Sequence, residues 1–128
     1  MIAGGTGITP MMQVVRAAVR NHAKDKINFW LISANQTADD ILLRSELDAL
    51  VSSTEVDFKV HYTLDRPPAK GWGGSTGFVT ADMCRDHLPA AHLPNTMVFM
   101  CGPSPMIKFA CEPALKELGF DEKQCYVF

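Results

Sequence analysis

The stretch GGTGITPM, from Gly4 to Met11, contains the residue types that bind phosphate groups. A short apolar run, Ile2-Ala3, precedes it, and residues with helical spacing follow it. Glycines at a strand-to-helix turn let backbone N–H groups approach a pyrophosphate, and the helix N-terminus adds partial positive charge. The spacing departs from the usual dinucleotide pattern, because Pro10 stands where a third glycine would pack. Taken alone, the motif fits either a nucleotide-binding loop or a tight turn that requires glycine.

A second stretch of this kind is MCGPSPMI, from Met100 to Ile107, which also leaves a β-rich run and enters a helical one. Ligands of open parallel sheets bind beyond the carboxyl ends of strands whose connections diverge, so we expect both loops to face one crevice. The residue types leave a second interpretation open. Cys101 would then be a small buried hydrophobic residue, and Pro103 and Pro105 would stiffen a turn.

The composition indicates one globular domain over residues 1–128, with 47% hydrophobic and 20% charged residues. The formal charge is −2 and the basic residues are scattered, which argues against nucleic-acid binding. The apolar runs are too short for a transmembrane helix, and we expect no signal peptide because a charged n-region is missing.

Neither the cysteines nor the histidines have the spacing of a metal site, so we expect no bound metal. We expect the cysteines to be reduced thiols in the cytoplasm. CxxC and HExxH patterns do not occur. The residues concerned are Cys84, Cys101, Cys111, Cys125, His22, His61, His87 and His92.

Short β-branched runs alternate with amphipathic stretches, which predicts an α/β fold with a five-stranded parallel sheet and flanking helices. The predicted strands are Ile2-Ala3, Ile27 to Ser33, Phe58 to Leu64, Met97 to Cys101 and Gln124 to Val127. The predicted helices are Pro10 to Asn21, Ile41 to Leu50, Thr80 to His87 and Met106 to Leu118. We expect Thr9 to cap the first helix, with Pro10 in its first turn. The Pro/Gly-rich stretch Asp65 to Gly77 is expected to be a long connection.

Six motifs, in register over the whole chain, resemble the pyridine-nucleotide domain of the NADH-cytochrome b5 reductases. They are GGTGITPM (Gly4 to Met11), ANQTADDILLR (Ala34 to Arg44), YTLDRPP (Tyr62 to Pro68), GFV (Gly77 to Val79), CGPSPMI (Cys101 to Ile107) and the terminal CYVF. GGTG alone would also fit the wider ferredoxin-NADP reductase superfamily. The resemblance implies a Rossmann-like domain of the ferredoxin reductase type. In that family a hydride passes from NADH to FAD, and electrons then leave singly for the heme of cytochrome b5.

The family context implies that an FAD-binding β-barrel should precede Met1, so we expect the chain to be the NADH-binding half of a flavoenzyme and inactive alone. Its implied partners are that FAD domain and cytochrome b5 or a similar heme protein. The implied location is the cytoplasm, with attachment to the cytosolic face of a membrane only through sequence outside these residues. Two alternatives remain open: the NADH domain of a related flavoprotein such as nitrate reductase, and a stand-alone nucleotide-binding module.

The resemblance also implies roles for the residues of the first loop. Gly5 and Gly7 match positions where the backbone lies against the NADH pyrophosphate. Thr6 and Thr9 match residues that face the boundary between the flavin and the nucleotide. The alternative for all four is the turn described above.

Further matches concern the adenosine half of the cofactor. Gln36 and Asp40 match positions near the adenosine, although Asp40 alone would be read as a solvated acid at a helix start. Asp65 matches a position associated with preference for NADH, because its charge would repel the 2′-phosphate of NADPH. Without the family, Asp65 would be a turn residue. Phe78 matches an aromatic residue near the adenine, and the alternative is core packing.

The last matches concern the nicotinamide. Cys101 matches the cysteine beside the nicotinamide, where it would position the ring for hydride transfer. Phe128 matches a terminal aromatic residue close to the flavin and the nicotinamide, with core packing as the alternative. The wall beside the ring would be formed by Gly102, Pro103, Pro105 and Met106. Ser104 departs from the family's CGPPPM, which affects the expected stiffness of the turn.

Overall fold

Six parallel strands form a single sheet in the order β4-β3-β2-β1-β5-β6. The computed structural model describes residues 1–21 and 27–128, so His22 lies outside the described residues. The strands are β1 (Ile2–Gly4), β2 (Asn28–Asn35), β3 (Asp57–Leu64), β4 (Ser75–Thr76), β5 (Val98–Cys101) and β6 (Cys125–Val127). The helices are α1 (Ile8–Arg20), α2 (Arg44–Val51), α3 (Ala81–His87), α4 (Ser104–Met106) and α5 (Glu112–Glu117). None of the helices in these ranges is long and apolar enough to cross a bilayer.

The predicted parallel α/β sheet is confirmed, but the predicted number of five strands is wrong. The sixth strand, β4, lies inside the stretch that the sequence marks as a connection, and its two residues pair with Thr63 and Leu64 at the end of β3. Trp72 donates a hydrogen bond from Nε1 to the carbonyl of Ser75 at 2.8 Å. A strand of two residues has no alternation of its own, so only its tertiary contacts define it.

The two faces of the sheet carry separate apolar clusters, because successive residues of a strand point to opposite faces. Ile2 and Ile32 belong to one cluster, and their neighbours Ala3 and Leu31 belong to the other. The first cluster is completed from the α3 and α5 side by Met83, Cys84, Cys111, Ala114 and Leu115. The second is completed from α1 and α2 by Ile8, Met11, Met12, Val15 and Leu47. The sheet is therefore the middle of three layers.

The first helix begins earlier than the sequence predicts. A 3₁₀ turn at Gly5–Gly7 leads directly into α1, whose first residue is Ile8 and whose N-cap is Gly7. The predicted cap at Thr9 is wrong, since Thr9 lies inside the helix and no side chain accepts a hydrogen bond at its start. Backbone N–H groups at the beginning of α1 thus have no side-chain acceptor.

Two other helices differ from their predicted bounds for local reasons. The helix expected from Ile41 begins only at Arg44, because Leu43 before it adopts the left-handed conformation with φ 56°. The helix expected from Met106 to Leu118 is interrupted by a π-helical turn at Ile107–Cys111. Pro113, which follows this turn, has no N–H to donate and disturbs the regular ladder.

A cavity of about 370 Å³ opens at the amino ends of β2 and β5, beside Met1. The amino nitrogen of Met1 donates a hydrogen bond to the carbonyl of Trp30 at 2.6 Å, and burial lowers its pKa to about 5. β1 pairs with β2 only from Ile32 to Ala34. The cavity therefore lies next to the amino end of β1, between the amino ends of β2 and β5.

Two histidine rings join the edge of the sheet to α3. His61 of β3 and His87 of α3 stack with centroids 3.5 Å apart and an interplanar angle of 7°. The Nε2 atom of His61 lies 2.7 Å from the Oγ atom of Ser75. Burial lowers the pKa of His61, the nearby His87 lowers it further, and Asp86 opposes the shift.

This stack predicts a loss of stability in acid. The folded-state pKa of His61 lies below its unfolded value near 6.5, so its contribution is present above that value and lost as pH falls through the folded pKa. We expect the Tm of the chain to fall more between pH 7.5 and 5 than that of a His61→Gln variant, measured by differential scanning fluorimetry. Parallel Tm curves for the two proteins would contradict the prediction.

Candidate functional site

The loops that follow β1 and β5 lie against each other at the carboxyl edge of the sheet. The chain runs from β1 through β2 and β3 to β4 on one side, then returns to β5 and β6 on the other. The connections therefore diverge between β1 and β5, as the ligand crevice of an open parallel sheet requires. The structure thus places both loops at the same edge of the sheet, as expected, and the shared crevice stays a prediction.

Glycine is required where these loops touch. A Cβ atom on Gly7 would overlap the carbonyl oxygen of Cys101, and one on Gly102 would lie 3.2 Å from the Cα atom of Gly4. A Cβ atom on Gly4 would lie 2.5 Å from the Sδ atom of Met106. Three of the loop glycines thus have a packing reason for their lack of a side chain.

The surface above Gly5 is open, in contrast to that of its neighbours. Gly5 has φ 53°, and a Cβ atom there would meet nothing within 4 Å. Thr6 in this turn and Thr9 near the start of α1 are exposed. No side chain caps the turn Gly5–Gly7 or the start of α1, and the N–H of Ile8 donates to the carbonyls of Gly5 and Thr6. An anion at this position would therefore have to be bound by N–H groups of the turn and not by that of Ile8.

Cys101 ends β5 opposite Ala3 and is half-buried, with its apolar contacts on the α1 face of the sheet. Pro103 caps α4, and Pro105 occupies its first turn, where the missing N–H costs no helical hydrogen bond. Ser104 is the first residue of α4. The departure from CGPPPM therefore leaves a turn that still enters a helix directly.

The ends of β2 and β3 stay joined beyond the last strand residues. The N–H of Asp65 donates to the carbonyl of Asn35 at 3.1 Å, and the N–H of Arg66 donates to the carbonyl of Gln36 at 2.8 Å. The Nη2 atom of Arg66 also donates to Oε1 of Gln36 at 2.9 Å. The structure thus brings Gln36 and Asp65 together at one edge of the crevice.

Asp40 has a local partner on its own turn. Its Oδ2 atom accepts hydrogen bonds from the N–H of Thr37 at 2.9 Å and from the Thr37 hydroxyl at 2.6 Å. These bonds lower the pKa of Asp40, with a smaller contribution from the charge of Arg66. At least one of the two carboxylate oxygens of Asp40 is therefore bonded within its own turn, as expected for an acid at a helix start.

Phe78 and Phe128 are both exposed. Phe78 is 76% exposed, and it follows Gly77, whose φ is 89° and whose N–H donates to the carbonyl of Leu64 at 2.8 Å. Its interpretation as a core residue is wrong. Phe128 is 50% exposed, and its ring lies 5.9 Å from that of Phe99, with its N–H bonded to the carbonyl of Met100. Both rings are therefore accessible to solvent.

Sequence reasoning missed Arg66, although the motif YTLDRPP contains it. The only available signal was a basic residue directly after a strand, and the contact with Gln36 spans 30 positions. No group of three or more His, Cys, Asp or Glu side chains converges on a metal position within residues 1–21 and 27–128.

Comparison with known proteins shows close relatives over the full chain. Residues 1–112 match the family model described as the oxidoreductase NAD-binding domain. NADH-cytochrome b5 reductase 2 of Xenopus laevis is 52% identical over 122 residues, which cover 95% of this chain and 40% of that protein. NADH-cytochrome b5 reductase 1 of Homo sapiens is 48% identical, with 100% and 41% covered. The chain thus spans less than half the length of these relatives.

A solved structure agrees with the fold in detail. The cytochrome b5 reductase domain of Ulva prolifera nitrate reductase superposes with a TM-score of 0.92 at 48% sequence identity. The match covers 100% of this chain and 47% of that one.

The contact between the two loops predicts an asymmetric response to added methyl groups. We expect Gly7→Ala to lower the free energy of unfolding by about 1–3 kcal/mol, because the new Cβ atom would collide with backbone. Gly73→Ala is the matched control, since a Cβ atom there meets nothing within 4 Å, and we expect a change of about 0.5 kcal/mol or less. Urea unfolding measures both, and equal losses would contradict the close approach.

Proposed function

The chain belongs to the oxidoreductase NAD-binding domain family, and from this membership we propose that it is the NADH-binding half of an FAD-dependent NADH-cytochrome b5 reductase. The observation that carries the proposal is the contact between the loops after β1 and β5 beside the uncapped start of α1. It supports an anion site at this turn and a wall beside Cys101, which would be the two surfaces that a reduced dinucleotide needs.

The pyrophosphate is held by the backbone of Gly5 and Gly7 and by the N-terminal end of α1. The open space above Gly5 supports this assignment, because a side chain there would keep the phosphates away from the N–H groups. Thr6 and Thr9 line the exposed side of the turn and face the boundary with the flavin.

The nicotinamide lies beside Cys101 and the turn that follows it. The role of Cys101 is to position the ring, since hydride transfer requires donor and acceptor atoms nearly in contact. The adjoining wall consists of Gly102, Pro103, Pro105 and Met106, and Phe128 closes it from β6. Bound FAD supplies the conversion of a two-electron hydride into single electrons, and the flavin is held mainly by another domain.

The adenosine lies at the ends of β2 and β3. Asp65 is exposed, and among the described residues its carboxylate has no hydrogen-bond or ion-pair partner, which leaves it able to accept bonds from ribose hydroxyls. Gln36 and Asp40, both exposed in the segment that follows β2, offer further hydrogen-bonding groups. The exposed ring of Phe78 offers a stacking surface for the adenine.

The proposed partners are an FAD-binding domain of the same protein and cytochrome b5 or a similar heme protein. The exposed aromatic and apolar side chains of Tyr126, Val127 and Phe128 on the edge strand β6 support contact with the flavin domain. We also propose a cytoplasmic location, with contact to a membrane only through sequence outside these residues.

A second candidate is the reductase domain of a nitrate reductase. The superposition at a TM-score of 0.92 favours it, because the matching structure is such a domain. The two candidates share the nucleotide site and differ in the electron acceptor. Assays of the full-length protein with cytochrome b5 and with nitrate as electron acceptors distinguish the two candidates.

Calorimetric titration with NADH and NADPH tests the nucleotide site. We expect NADH to bind more tightly, and Asp65→Asn to reduce the preference by about tenfold, because one like charge no longer faces the 2′-phosphate. Asp57→Asn is the control, since Asp57 is an exposed carboxylate at the opposite end of β3. Equal binding of both nucleotides by the unmodified chain would contradict the role of Asp65, and binding of neither would contradict the proposed site.

The dependence on flavin gives a second prediction. The purified chain should not transfer electrons from NADH to ferricyanide at a measurable rate, because none of its own groups splits a hydride into single electrons. Absorbance at the NADH band measures the turnover. Robust turnover without added flavin or flavin domain would contradict the proposal that this chain binds NADH and another domain holds the flavin.

A further inference from the structure

Arg66 lies at the edge of the proposed adenosine site, and the mechanism above gives it no role. Two of its groups bond to the same residue, the backbone N–H to the carbonyl of Gln36 at 2.8 Å and Nη2 to Oε1 of Gln36 at 2.9 Å. Arg66 is exposed and follows β3, and its guanidinium is bonded to Gln36, which follows β2. These bonds hold Arg66 near the end of β2.

The anchoring bond uses only a small part of the guanidinium. Arginine carries five N–H donors, and the bond to Gln36 takes one of them. Within residues 1–21 and 27–128, Arg66 has no carboxylate within 4 Å, whereas Arg16 and Arg44 each have one and Arg85 has two. The remaining donors form a planar fork of the kind that binds a phosphate through two parallel hydrogen bonds.

Two carboxylates, those of Asp65 and Asp40, belong to the same region as the guanidinium of Arg66. Asp65, its neighbour in the chain, also has no ion-pair partner among the described residues. Asp40 is bonded to Thr37, and although the charge of Arg66 lowers its pKa, the two side chains form no ion pair among the described residues. An acid and a base, neither of them in an ion pair there, thus follow each other directly after β3.

We propose that Arg66 is a second determinant of nucleotide selection, a ready ligand for a 2′-phosphate whose attraction is offset by the charge of Asp65. This inference rests on the proposed function, because it requires the adenosine to lie at this edge. Asp65 rejects the 2′-phosphate, and Arg66 sets how large the rejection is. Neutralising Asp65 therefore weakens the preference for NADH over NADPH, and neutralising Arg66 strengthens it.

The proposal makes a specific claim about the double variant. Asp65→Asn alone should raise the affinity for NADPH by about tenfold, because the fork then meets the phosphate without an opposing charge. Adding Arg66→Gln should remove most of that gain. Arg66→Lys in the same background should keep part of it, because the charge remains while the planar fork is lost.

NADH is the internal reference in this experiment. Since NADH carries no 2′-phosphate, Arg66→Gln should change its affinity by about threefold or less. Arg20→Gln is the matched control, because Arg20 lies at the far end of α1 from the loop. Titrations with 2′,5′-ADP and 5′-AMP repeat the comparison without the nicotinamide half.

Calorimetric titration of the folded variants, checked by their Tm values, decides the matter. A loss of NADPH affinity that exceeds the loss of NADH affinity, and that grows smaller with added salt, supports the proposal. An unchanged NADPH affinity, or equal losses for both nucleotides, overturns it and makes Arg66 a purely structural partner of Gln36. Failure of every variant and the unmodified chain to bind NADH would instead overturn the proposed function, and this inference with it.

Discussion

The approach of Gly7 to the carbonyl of Cys101 is the constraint on which the rest of the structure depends. It joins the loops after β1 and β5, at the point where the order of strand addition reverses, and it leaves no room for a side chain. Because α1 starts immediately after Gly7, the same contact fixes where the positive end of that helix lies. The helix then covers one face of the sheet with Ile8, Met11 and Val15. The turn proposed to bind the pyrophosphate is thus also part of the packing.

The proposed nucleotide site has two halves of different chemistry. The half beside Cys101 is formed by glycine, proline and sulfur-containing side chains, and it presents few charges. The half at the ends of β2 and β3 presents Gln36, Asp65 and Arg66, all exposed. The proposed dinucleotide matches this division, because its nicotinamide needs a closely fitting wall and its ribose needs hydrogen-bond partners. The proposed pyrophosphate position at the turn before α1 lies between the two halves.

The sequence predicted the architecture better than the details of the turns. Alternation of β-branched and amphipathic runs predicted the parallel sheet, because burial on both faces leaves a strong pattern. The strand at Ser75–Thr76 was missed because two residues carry no periodicity. The cap at Thr9 was wrong because a 3₁₀ turn starts the helix one residue after the last glycine. The bond between Gln36 and Arg66 depends on the register of two strands, and no local pattern encodes a register.

The division of the core by the sheet has a consequence for redesign of this protein. Met83 and Leu115 pack only in the cluster on the α3 and α5 side, and Met11 and Leu47 pack only in the other. Substitutions at sites that share no packing partner act on stability independently. The two faces of the sheet are therefore separable units, and each can be repacked without a matching change on the other.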